Sequence, residues 1–418
     1  MAFRIALSGL NAASQDLDVT GNNIANASTT GFKQSRTEFA DVFATSGGAV
    51  SSDAIGGGVR MSKVAQQFSQ GNVKFTNNNM DLAINGEGFF ILKHGGSEIY
   101  SRAGAFSVDR NGYVVNANAQ RLQVYSPANA AGTKFNTGSL QDLQVSTSQG
   151  APSATTSVSS LLNLDSSDST IPTAAFSTTD PTTYNYSTSF TMYDSFGTSH
   201  TATMYFRKTS PKHWDAYAYG QTSSGTQKIN LGGTNGAAQL VFKSDGSLDT
   251  TASSPLNGKP TGTFTPSNGA NSMPLTFDFS KLTQYGSGYS VNAINQDGYS
   301  TGRLTGIDIS DTGVVSARFT NGQSRSLGKV ALANFPNKQG LRQLGDTTWA
   351  ASYDSGDAIK GEASTGSFGA IQSGALESSN VDIAAQLVNL ITAQRNFQAN
   401  SQVITTADHV TQTIINMR

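Results

Sequence analysis

Two stretches at opposite ends of the chain decide how the rest is read: Met1–Asn26, MAFRIALSGLNAASQDLDVTGNNIAN, and Asn380–Arg418, NVDIAAQLVNLITAQRNFQANSQVITTADHVTQTIINMR. In the first, Phe3, Leu10, Leu17 and Ile24 recur every seven residues, and a second row starts at Leu7 and continues through Ser14 and Gly21. In the second, Ile383, Leu390, Phe397 and Ile404 repeat the spacing, with Leu387, Gln394, Ser401 and Asp408 as the second row. Strict seven-residue spacing predicts a coiled-coil-like seam. A helix packed on its own globular core carries a wider apolar stripe. Polar residues in the second row weaken a pair while restricting its register and partner. Asn380 is placed to cap the later helix, and Asp382 puts a negative charge in its first turn. Gly9 and Gly21 weaken the earlier helix, so both ends are expected to order on assembly.

Between the ends the sequence reads as β structure. Asn-Gly or Asp-Gly pairs end at Gly86, Gly112, Gly236, Gly246, Gly258, Gly269, Gly298 and Gly322, and such pairs suit tight hairpin turns. Strand-like runs flank many of them, including Phe89–Leu92 and Val114–Val115. A further hairpin is predicted from Phe190–Tyr193 through Asp194–Gly197 to Thr203–Phe206. From Ser146 to Thr183 the composition turns to Ser, Thr and Ala with Pro152, Pro172 and Pro181, which reads as a domain crossing. Val158, Leu161, Leu162 and Leu164 within it predict at least one strand. A return crossing is expected between Tyr285 and Gly298. The fold class is therefore α+β and multidomain, with terminal helices paired as a coiled-coil-like domain and mainly antiparallel β domains nested between them. The expected divisions are 1–71 with 373–418 for the helical assembly domain, 72–145 with 291–372 for a first β domain, and 146–290 for an inserted outer β domain.

Composition narrows the function. Only 13% of the 418 residues are charged, the net charge is −1, and there is no cysteine. No basic field exists to hold nucleic acid, and thiolate or disulfide chemistry is excluded. The 22 Phe and 13 Tyr argue against disorder. No apolar run is long enough to span a bilayer, and Ser8, Gly9 and Asn11 interrupt the start of the chain where a signal peptide would be continuous. His94, His200, His213 and His409 lack the short spacing of zinc ligands. Walker, nucleophile-elbow and EF-hand patterns are missing. No cofactor, metal or catalytic residue is expected, and the chain is read as a structural subunit and not an enzyme.

Longer motifs add a family. Ser8–Ala13 (SGLNAA), Gly21–Asn26 (GNNIAN) and Thr30–Lys33 (TGFK) resemble the beginning of bacterial flagellar rod and hook proteins. Gly374–Asp382 (GALESSNVD) and Ala393–Asn400 (AQRNFQAN) resemble their end. Asn85–Phe90 (NGEGFF), Ser101–Phe106 (SRAGAF) and Asn111–Tyr113 (NGY) resemble their first β domain. The likeness covers roughly residues 1–125 and 297–418, and the long middle region points to a hook subunit over a distal rod subunit; a β-rich surface adhesin is the alternative from another class. The resemblance implies a homopolymer forming a curved, hollow helical tube that acts as a universal joint. It implies rod and hook–filament junction proteins, the hook cap and the type III export apparatus as partners, with no nucleic acid and no membrane insertion. It implies a location outside the cell, in the flagellar hook, reached without a cleaved signal peptide. The residues expected at the assembly interface are Phe3, Leu7, Leu10, Leu17, Asn22, Asn23, Ile24, Asn26, Ile383, Leu387, Leu390, Phe397 and Ile404.

Overall fold

A computed structural model describes residues 2–42, 56–129, 132–146, 149–171 and 175–416. Pro172, one of the prolines marking the crossing, lies outside them. Two helices stand at the ends, α1 (Ala2–Ala25) and α2 (Ile383–Asn416), and many strands in several sheets lie between them. The chain divides into two compact units. The first comprises Met1–Thr147, Gly306–Arg318 and Ser324–Arg418; the second comprises Ser148–Thr305 and Phe319–Gln323.

In the first unit, Phe89–His94 pairs antiparallel with Ser97–Ser101, Arg121–Pro127 and Ser324–Asn334, forming the middle of the largest sheet. The apolar run Phe89–Leu92 is buried on both faces, as a continuous run in a central strand should be. On one face Phe89 meets Trp349 edge-on at 5.7 Å and Tyr100 meets Phe335 at 4.8 Å. Phe90 meets Phe106 edge-on at 5.5 Å. A two-stranded ribbon, Ser35–Asp41 with Val59–Gln66, follows α1 and packs against it.

The second unit has two five-stranded sheets sharing one core, built on Met204, Phe206, Trp214, Phe264, Phe277 and Phe279. The expected hairpin is present as Tyr186–Tyr193 against Ser199–Ser210. The crossing segment contains the strand Ser157–Asp165, which runs parallel to Met273–Asp278 and Thr283–Tyr285. That strand also pairs antiparallel with Ser290–Gln296, which therefore belongs to the second unit. This moves the expected boundary at residues 290 and 291 to about Thr305. Ser290–Gln296 is polar enough to read as linker, and only its pairing reveals it as a strand.

The Asn-Gly and Asp-Gly pairs form more than one kind of turn. Both residues are left-handed at Asn235–Gly236 and Asn257–Gly258. At Gly112, Gly246 and Gly322 only the glycine is, and it closes a bond back three residues, to Asp109, Lys243 and Phe319. This is a type I turn finished by a left-handed glycine, the longer of the common hairpin connections. Gly298 serves close approach instead, since a Cβ there would come within 2.3 Å of Thr155 Oγ1.

Polar clamps fix both units. In the second, Asp194 Oδ1 accepts from the N–H groups of Phe196 and Thr198, and Oδ2 meets His200 Nε2 at 2.9 Å and Asn268 Nδ2 at 2.6 Å. Burial alone would raise this carboxyl; the bonds from His200, Asn268 and the two backbone groups outweigh it and bring it down to about 2. In the first unit, Lys33 Nζ lies 2.6 Å from Glu377 Oε1, and Arg102 Nε lies 3.3 Å from Oε2. Lys33 Nζ also donates to Ser69 O, Arg102 Nη2 to Gly86 O, and Gly71 N–H to Glu377 Oε1. All three charged side chains are buried. Burial pulls both cations below their ordinary values, against the attraction of Glu377.

Two outcomes are expected. Glu377→Gln should cost about 3–5 kcal/mol, because it leaves two buried cations without a counter-charge. Lys33→Met should cost less, since the Arg102–Glu377 pair survives it. Urea unfolding of the three chains checks the order, and equal losses would contradict it. The depressed Asp194 carboxyl contributes stability that is present above its unfolded value near 4 and is lost as pH falls from about 4 to 2, on the order of 2 kcal/mol. Trp214 fluorescence in a Trp349→Phe chain should show that loss, and Asp194→Asn should flatten it.

Candidate assembly interface

The sequence near each root explains how the two helices are set. Asn23 is buried at the end of α1, where its Oδ1 accepts from Ser35 N and its Nδ2 donates to Ser35 O and Gln386 Oε1. Asn22 and Asn26 close the last turn, with Asn26 N–H and Nδ2 both donating to Asn22 O. Asn380 does not cap α2, contrary to expectation. Its Oδ1 accepts from Gln34 N and its Nδ2 donates to Gln67 O, which ties the start of α2 to the segment after α1. Asp382 is the cap, accepting from Ala384 and Ala385 N–H. Both residue types cap well, so the sequence alone does not separate positions two apart.

The helices contact each other and run antiparallel: Asn23 of α1 meets Gln386 near the start of α2, and Gly9 lies beside Asn400. A Cβ at position 9 would fall 2.5 Å from Asn400 Oδ1, so the glycine that weakens α1 alone leaves room for the Asn400 side chain. The buried residues of α1 are small or polar: Ala6, Ala12, Ala13, Thr20 and Asn23. On α2 they are Gln386 and Ala393 alone. Leu10, Leu17, Ile24, Leu390, Phe397 and Ile404 are half-buried beside this contact. Phe3, Leu7, Ile383 and Leu387 are exposed, between 42% and 54%. A second set of apolar residues is exposed on α2 that the seven-residue rows did not include: Val388, Ile391, Val403, Val410, Ile414 and Ile415. Phe3, Val403, Ala407 and Val410 line an open groove.

Lys33, Arg102 and Glu377 lie within the TGFK, SRAGAF and GALESSNVD motifs, and the sequence alone assigns them no role. The available signal was three charges inside Gly- and Ala-rich motifs of a chain with few charges.

Family models match four stretches of the chain. They are the flagella basal body rod protein over residues 3–33, the flagellar hook protein FlgE/F/G D1 domain over 83–175, the flagellar basal body protein FlaE D2 domain over 163–299, and the flagellar basal body rod FlgEFG protein C-terminal region over 372–417. Flagellar hook protein FlgE of Escherichia coli (strain K12) is 38% identical over the whole of both chains. The hook protein FlgE of Salmonella typhimurium is 37% identical over the same extent, and that of Borreliella burgdorferi is 33% identical over 99% of this chain and 98% of its own. The crystal structure of Helicobacter pylori flagellar hook protein FlgE2 shares the fold, with a TM-score of 0.53 at 15% identity, covering 73% of this chain and all of that one. Full-length identity, spanning the terminal helices and the β region between them, shows that the chain belongs to the flagellar hook protein FlgE family.

Proposed function

We propose that the chain is a structural subunit of the bacterial flagellar hook that polymerises with itself into a curved, hollow helical tube, a universal joint between rod and filament. The observation that carries the polymer reading is the state of α2: in 34 residues it buries only Gln386 and Ala393, while eight large apolar residues stand exposed. An apolar surface of that extent on a subunit is an interface awaiting copies of itself. A contact between unlike surfaces whose rotation does not close generates an open helical filament.

In this reading the helical layer, residues 1–71 with 373–418, forms the inner wall. Its interface consists of Phe3, Leu7, Leu10, Leu17, Ile24, Ile383, Leu387, Leu390, Phe397 and Ile404, with Asn22, Asn23 and Asn26 setting the end of α1. The first β domain, from 72–145 and the part of 291–372 beyond the crossing, forms the next layer. The second unit forms the outer layer, whose polar, sparsely charged surfaces make weak contacts that exchange as the tube bends. Rod and hook–filament junction proteins bound the tube, and the hook cap and the type III apparatus handle the subunit during export, without a cleaved signal peptide.

Leu390→Asp, and separately Leu17→Asp, should abolish tubes seen by electron microscopy while leaving the β circular dichroism of the monomer unchanged. Normal tubes from either variant would refute the inner-wall assignment. Replacing residues 148–305 with a short linker should leave tubes that are straight, and retained curvature would refute the role given to the outer layer.

A further inference from the structure

The hairpin from Arg342–Gly345 to Thr348–Ala350 turns through Asp346 and Thr347, whose φ values are 49° and 54°. A left-handed threonine is a genuine outlier, because its branched Cβ crowds the backbone there. The turn is held from both sides: Ser101 Oγ donates to Thr347 O at 2.9 Å, and Thr348 Oγ1 donates to Gly345 O at 2.7 Å. A strained turn kept in place by its surroundings points to a task for the groups it presents.

Those groups line a cavity of about 270 Å³ with Asn22, Phe32, Gln343 and Trp349. The Asp346 carboxylate has no ion-pair or hydrogen-bond partner among the described residues, and neither do the side-chain amides of Asn22 and Gln343. The cation that also borders the cavity, Lys33, has its ammonium committed to Glu377 and Ser69 O. The cavity therefore offers one carboxylate and two amide oxygens, all on solvent-exposed residues, at a rim above the buried rings of Phe32 and Trp349. A planar guanidinium matches this set: it has donors only and pairs with carboxylates in a fork.

We infer that this cavity receives an arginine side chain from a second copy of the chain. The inference rests on the self-assembly reading above and names a contact within it. The complement is available: Arg4, Arg60 and Arg395, all on the helices or the ribbon beside them, are exposed and have no carboxylate partner among the described residues. Occupation would give a directional, charge-assisted contact next to the non-directional apolar faces of the helices, fixing the register between neighbours.

The test measures the critical concentration for polymerisation of the full chain by sedimentation, at low and at high salt. Asparagine accepts the left-handed conformation, so Asp346→Asn removes the charge and keeps the turn. It should raise the critical concentration about tenfold and flatten its salt dependence. Asp346→Lys should give no tubes. Monomer circular dichroism and melting should match the parent chain for Asp346→Asn, so that variant decides if the lysine chain misfolds. Assembly of Asp346→Lys at the parental concentration, or unchanged salt dependence in Asp346→Asn, would overturn the site. Failure of the parent chain to polymerise would instead bring down the self-assembly reading, and this contact with it.

Discussion

One buried carboxylate, Glu377, carries the load of joining three distant parts of the chain. Lys33 follows α1, Arg102 follows the strand Ser97–Ser101, and Glu377 precedes α2. Taking such charges out of water is costly, and apolar replacements often stabilise as well or better. What the ionic arrangement adds is direction. Glu377 Oε1 must face both Lys33 Nζ and Gly71 N–H while Oε2 faces Arg102, so the roots of the two helices can meet the sheet in only one way. Asn23 and Asn380 extend the same logic with hydrogen bonds from α1 to α2 and from α2 to the segment after α1. An apolar root would tolerate slippage that this polar one does not.

That constraint explains how the helices can leave so much apolar surface uncovered and still form a defined pair. Their mutual contact uses small residues, with Gly9 against Asn400 and Ala393 buried on α2. Small side chains each bury little apolar area and so contribute modestly by the hydrophobic effect. The pair is held at its root and left open along its length. The large residues flanking the contact stay available to other surfaces.

The presence, type and placement of both helices were legible from seven-residue spacing, and the long resemblance at the two ends was legible from ordered motifs. Which side of each helix faces the other was not. Spacing marks Phe3, Leu10, Leu17 and Ile24 as a row, but the buried residues are Ala6, Ala12, Ala13, Thr20 and Asn23, too small or too polar to register in an apolar count. The Lys33–Arg102–Glu377 cluster is invisible for a different reason: its members are far apart in sequence, and only the fold pairs them. Ser290–Gln296 was misplaced because a polar strand with few large apolar residues has the composition of a linker. Asn-Gly pairs located turns correctly and gave their geometry poorly, since one left-handed residue and two left-handed residues are both compatible with the same dipeptide.

A root that is rigid and helices that are open have opposite mechanical consequences, and a bending polymer needs both. If the helices flexed at their root, a neighbour's strain would be absorbed within the subunit and would not pass along the tube. Buried ionic contacts resist that because displacing any member strands an unpaired charge, whereas apolar faces that meet without directional bonds can slide a fraction of a residue at little cost. A subunit with this division would transmit displacement through its root and accommodate it at its apolar surfaces. Register between copies would then have to come from a few polar contacts placed among those surfaces, which is the part that a cavity holding a lone carboxylate beside the end of α1 is built to supply.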